Sequence, residues 1–116
     1  MLATGDADGN PHARPVAYLV DRGVFLVATV AGARLRQVRA RPQASLVVTA
    51  GDGDDHRVIS VDGDVVIHEG EAFAARFEPV AERWRARHGQ EPGWAVALLE
   101  LVPRRVYSYA APSSGG

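Results

Sequence analysis

The sequence has no cysteine, which removes disulfides, thiolate nucleophiles and thiolate metal sites together. Lysine is absent too: all 13 basic residues are arginine. That bias belongs to coding composition, but it still excludes a Schiff base or a lysine general base. No apolar run approaches the ~20 residues that span a bilayer as a helix. Met1 leads into strand-like sequence rather than into a charged-then-apolar leader. The expected address is therefore the cytoplasm. His12, His56, His68 and His88 share no i,i+4 or metal-like spacing, so no zinc site is expected. The acidic loop Gly51-Asp-Gly-Asp-Asp55 lacks the glutamate that would close a calcium site, because Gly63 stands there. No metal is assigned. Acidic residues outnumber basic ones, 14 to 13, and the central strands offer no aromatic stacking platform. Nucleic acid is set aside as a partner on both grounds.

What remains is a chain of 116 residues, 47% apolar: one domain with a single core, and too apolar to be disordered. Leu2–Thr4 is a short strand start, and the Asp8-Gly9 pair makes a turn. His12 to Val20 reads as one extended strand, demoted at Pro15 to an edge or bulge. Asp21-Arg-Gly23 is a second turn, followed by a β-branched and aromatic strand from Val24 to Thr29.

The period then changes. Leu35 and Val38 share one helical face, while Arg34, Arg36, Arg39 and Arg41 fill the rest and Pro42 stops the helix. Ala44–Thr49 is a strand, and Arg57–His68 a long one bent at Gly63. Phe73, Phe77, Val80 and Trp84 follow helical spacing, so Glu71–Arg87 is amphipathic, with Pro79 splitting it into two short helices. Ala95–Tyr109 is a last strand pair, or one strand bent around Pro103. Residues 110–116 form a small-residue tail. The sum is mainly β with short helices, antiparallel, and favours a small barrel over a doubly wound sheet.

Four arginines in a short helix after a strand, in a chain of net charge −1, place positive charge where a phosphate is readily held. On charge alone the solvated helix face is the stronger reading. Arg14 lies in an apolar strand beside Pro15, where an unpaired guanidinium is costly to bury; it either pairs with a carboxylate or meets a ligand. His12, two residues away, falls on the same strand face and is a weak proton-donor candidate. Trp84 and Trp94 read as core or interface residues.

The ordered pieces Leu2-Ala-Thr-Gly-Asp-Ala-Asp-Gly-Asn-Pro11, Arg14-Pro-Val16, Ala28-Thr29, Arg34–Pro42, Ser45-Leu-Val47, Val61-Asp-Gly63 and Leu101-Val-Pro103 resemble the pyridoxamine 5'-phosphate oxidase-like family of FMN-binding split barrels. The resemblance implies an antiparallel split β-barrel over residues 1–109, homodimeric, with FMN in clefts between the subunits. By the same resemblance Arg14 approaches the flavin or its phosphate, and Thr29 and Arg34 hold the phosphate with Arg36 as a minor contributor. Pro15, Val16 and Ala28 line the ring. Arg34 replaces the family's usual lysine, a change that a bidentate guanidinium accommodates. Trp94 and Tyr109 would border the cofactor from the partner chain.

Other positions depart from the family pattern. Gly32 falls where many members carry serine, Leu19 where vitamin-oxidising members carry lysine, and Val58 where they carry glutamine. The family's usual helix does not precede the first strand. These departures point away from a true pyridoxamine phosphate oxidase. The implied function is an FMN-binding oxidoreductase acting on a small organic substrate, with no catalytic side chain assigned. A reductase using a deazaflavin as dissociable cosubstrate, and a non-catalytic flavin- or haem-binding module, are the alternatives.

Overall fold

A computed structural model describes residues 1–6, 8–50 and 57–110. The acidic loop 51–55, His56 and the tail beyond 110 lie outside the described residues. Seven strands and two helices run in the order β1 (Leu2–Gly5), β2 (Pro11–Arg14), β3 (Leu19–Asp21), β4 (Val24–Thr29), α1 (Ala33–Ala40), β5 (Gln43–Ala50), β6 (Arg57–His68), α2 (Gly70–His88) and β7 (Ala97–Ala110). All neighbouring strands pair antiparallel in one sheet of order β2-β1-β5-β6-β7-β4-β3.

The expected single strand from His12 to Val20 is instead two strands, at opposite edges of the sheet. Pro15 has no N–H to continue a ladder, so pairing with β1 stops at Arg14. Only Pro15–Tyr18 link the two edges, and five residue steps span at most about 18 Å. Seven strands laid flat would hold their edges roughly 29 Å apart. The sheet must therefore curl until its edges approach each other. Chain length alone imposes that curvature.

Turn chemistry sets the β3–β4 hairpin. Arg22 and Gly23 both have positive φ, 52° and 82°, as a two-residue turn of matching twist requires. On the long β6–β7 ladder the register shifts at Asp62/Gly63: Asp62 faces Arg105, whereas Gly63 faces Pro103. The bends expected at Gly63 and at Pro103 are thus one bulge, and β7 is a single bent strand. The bulge tolerates Pro103, which cannot donate to a regular ladder.

Inside the curl, Leu46, Val61, Leu99 and Leu101 are buried beneath α1, which contributes Leu35 and Val38. The two are three positions apart and so share a face. Helix α2 departs from expectation, being continuous through Pro79. Proline leaves the carbonyl of Ala75 without its helical partner. Both residues are exposed, so water can take that bond and the helix continues. It ends at Gly89, in the left-handed region at φ 71°, with the Gly89 N–H donating to the Arg85 carbonyl. Among the described residues, no helix is long and apolar enough to cross a membrane.

The bulge yields a stability prediction. A Cβ on Gly63 would stand 2.2 Å from the Val102 carbonyl oxygen, inside the backbone of the paired strand. Gly63→Ala is expected to cost about 3 kcal/mol, the upper end for over-packing, and to lower Tm by roughly 10–15 °C. Thermal unfolding followed by circular dichroism measures it; an unchanged midpoint would show that the strands separate freely at the bulge.

Candidate functional site

The Pro15–Tyr18 link, the end of β4, the start of α1 and the C-terminal half of α2 enclose a groove of about 870 Å³. Its volume falls in the usual range for small-molecule and cofactor sites. Of the residues picked out from sequence, Pro15, Val16, Ala28, Thr29 and Arg34 all line it. Arg14 and Arg36 do not. Arg36 is exposed, since two helical positions turn it about 200° from Arg34. Arg14 is exposed as well and donates from Nη1 to the Ala13 carbonyl at 2.8 Å.

Arg34 is half-buried and has no hydrogen-bond acceptor or ion-pair partner among the described residues. Burial of its guanidinium, and then repulsion from Arg14, hold its pKa below the ordinary arginine value. It still carries its charge, because arginine does not deprotonate in proteins. The cation sits in the first turn of α1, whose Gly32 N-cap offers no side-chain bond and whose first turn has no acidic residue. The free amides of that turn and the guanidinium therefore face the same region with the same sign. Thr29 is buried, and its hydroxyl donates to the Val30 carbonyl at 3.2 Å, a bond it would exchange to donate to an anion.

The α2 wall went unread in the sequence. Val80, Arg83, Trp84, Arg87 and His88 line the groove, although the apolar spacing of Phe73, Phe77, Val80 and Trp84 reads as a core face. Only Ala81 of α2 is buried. The detectable signal was the i,i+4 pair Arg83 and Arg87 flanking that stripe. Trp84 meets His88 with ring centroids 4.1 Å apart and Trp94 at 5.3 Å, edge to face. Trp94 thus lines the groove from its own chain. The side chain of Tyr109 lies outside what is described. His12 sits on β2 away from the groove, 2.8 Å from Asp6 Oδ2, a contact that lowers the pKa of the Asp6 carboxyl ahead of its bonds from backbone N–H groups.

Arg76 ties α2 to the sheet. It donates to Asp21 Oδ2 at 2.7 Å and to Glu100 Oε1 at 2.9 Å, and these two bonds raise its pKa. His68 Nε2 lies 3.3 Å from the same Glu100 oxygen. One side chain thereby ties the groove's helical wall to β3 and β7.

Comparison with known proteins adds the ancestry. The sequence model of the pyridoxamine 5'-phosphate oxidase family matches residues 1–110. The chain belongs to that family. No curated protein matches the sequence. A conserved hypothetical protein of Mycobacterium tuberculosis is 25% identical with a TM-score of 0.75, over 93% of this chain and 74% of its own. HutZ, the haem storage protein of Vibrio cholerae, is 19% identical with a TM-score of 0.72, over 91% and 82%. A pyridoxamine 5'-phosphate oxidase-related, FMN-binding protein of Nostoc punctiforme is 19% identical with a TM-score of 0.68, over 92% and 71%. Solved structures that share the fold thus include a haem storage protein and an FMN-binding protein.

Removing Arg76 tests the tie between α2 and the sheet. Arg76→Ala leaves Asp21 and Glu100 without their shared cation, and is expected to cost about 1–2 kcal/mol, the low end for charge-assisted bonds that are partly solvated. Tm should fall by roughly 5–10 °C, with a shift in the emission of Trp84 as the wall loosens. Arg76→Lys should recover part of both; a variant matching wild type in melting and emission would place the anchor of α2 elsewhere.

Proposed function

We propose that this chain binds FMN in the groove and acts as a flavin-dependent oxidoreductase on a small organic substrate. The observation that carries this reading is Arg34, half-buried at the uncapped start of α1 and without a partner among the described residues. The residues fit the group. A buried guanidinium without a counterion is costly, and a phosphate dianion supplies one. Arg34 and the amides of α1 would hold the phosphate, with the Thr29 hydroxyl beside them. Arg14 adds long-range attraction without lining the groove. Pro15, Val16 and Ala28 would form the apolar wall for the ring and exclude water from it. Bound there, FMN would supply two-electron redox chemistry, the protein contributing position and electrostatics.

A homodimer belongs to the same proposal, as the family resemblance implies. Apolar side chains with much exposed surface line the groove: Val20 and Val30 are 55% and 51% exposed. Such an apolar rim favours cover by a second copy.

A haem-binding module is the second reading, and one residue favours it. His88 lines the groove and has no hydrogen bond among the described residues, leaving an imidazole nitrogen free to ligate iron. The fold neighbour that stores haem adds weight to it.

Absorption of protein purified without added cofactor separates the two: flavin bands support the first, a Soret band lost in His88→Ala the second. Titration with FMN and a deazaflavin then distinguishes a resident flavin from a dissociable one. Arg34→Ala is expected to weaken FMN binding about ten- to a hundred-fold, the loss of a charge-assisted contact of ~1.5–3 kcal/mol. Riboflavin, which lacks the phosphate, should bind both proteins alike. Equal loss for both ligands would remove Arg34 as the phosphate residue.

A further inference from the structure

The groove is electrostatically one-sided. The chain carries 14 acidic residues, yet no Asp or Glu lines it among the described residues, whereas Arg34, Arg83, Arg87 and His88 do. Arg34 stands on the α1 side. The other three share one face of α2 with Val80 and Trp84, at spacings of three and four.

Helix α2 treats its arginines in two ways. Arg76 is held by Asp21 and Glu100, and Arg85 by Glu78 and Glu91. Arg83 and Arg87, which turn toward the groove, have no carboxylate partner among the described residues. Cations near a helix C-terminus do favour the helix dipole, but Arg85 and His88 already meet that need. The dipole also gives no reason, within α2, for the two groove-lining arginines to lack the counterions that Arg76 and Arg85 have. Like charges at i,i+4 mildly oppose the helix, and an anion between them reverses that cost. Beside them the Trp84 and Trp94 rings offer an aromatic surface.

We propose that Arg83 and Arg87 form a second anion site in the groove, which recognises the carboxylate of an aromatic substrate packed against Trp84 and Trp94. It rests on the reading above in taking Arg34 as the seat of the cofactor's phosphate, so that each wall of the groove binds one anionic group. The substrate class is then small, unsaturated and acidic. Neutral analogues are discriminated against because they forgo the charge-assisted bonds that a carboxylate makes with the two guanidinium groups.

The sequence contains two tryptophans, and both line the groove, so intrinsic fluorescence reports occupancy directly. The probes are 2-naphthoate and its neutral counterpart 2-naphthylmethanol, titrated into the protein with and without FMN. Naphthoate should bind about tenfold or more tighter than the alcohol, as a charge-assisted contact gives, and added salt should erode the difference. The double variant R83Q/R87Q should lose the preference while R83K/R87K keeps part of it. Both positions are exposed, so folding is not at risk. Arg34→Ala should do the opposite, weakening FMN and leaving the naphthoate preference in place. Equal binding of the two probes, or a preference that survives R83Q/R87Q, overturns the second site. A protein that refuses FMN yet keeps an Arg83/Arg87-dependent preference for naphthoate overturns the cofactor reading alone.

Discussion

The four residues between β2 and β3 constrain everything else in this molecule. They join the two free edges of a seven-stranded sheet, so the sheet has to curl, and their own path closes one side of the groove. Pro15 starts the link by ending the β2 ladder, and Val16, Ala17 and Tyr18 present small or apolar groups to the interior of the groove. A longer connection would let the edges separate and flatten the sheet. A shorter one could not reach. The same short segment thereby determines both the curvature of the fold and the wall against which a flat ring can rest.

Electrostatics then gives the groove its chemical character. A half-buried guanidinium with no acceptor is a state that folding tolerates only when something else is gained. Here Arg34 lies next to the free amides of α1, and Arg14 approaches closely enough to depress its proton affinity. Neither neighbour relieves the charge; both concentrate it. On the proposed reading, such positive potential becomes favourable when an anion binds, as at a preorganised site.

Much of this was legible in the residues. Val24–Thr29 announced β4 through its β-branched and aromatic run, and the Leu35/Val38 pair announced the buried face of α1 because helical spacing leaves no other residue able to share it. Gly63 and Pro103 each signalled a bend, though only pairing shows that they are one bulge. Five of the seven residues read as a cofactor site share one groove. What the chain concealed has physical causes. Pro79 signals a break, yet the orphaned carbonyl of Ala75 faces water, and a solvated carbonyl does not stop a helix. The split of His12–Val20 across opposite sheet edges depends on the strand order of the whole sheet, which no local pattern encodes. The α2 wall was hidden because an aromatic stripe looks the same whether it covers a core or borders a cavity.

That last ambiguity has a structural origin in how weakly α2 is buried. Ala81 is its only fully buried residue; Phe73, Phe77, Val80 and Trp84 are half-buried, and Arg76 adds a tie to Asp21 and Glu100. The Arg76 side chain is 28% exposed, so these contacts are partly screened by solvent and weaken with salt. The two walls of the groove therefore differ in kind. The α1 side is locked by Leu35 and Val38 in the core, while the α2 side combines half-buried apolar packing with an ionic tie. An anion that engages Arg83 and Arg87 would act on the more compliant wall, drawing it toward the rigid one. Ligand occupancy and the position of α2 are then coupled through the same few charges, and ionic strength acts on both at once.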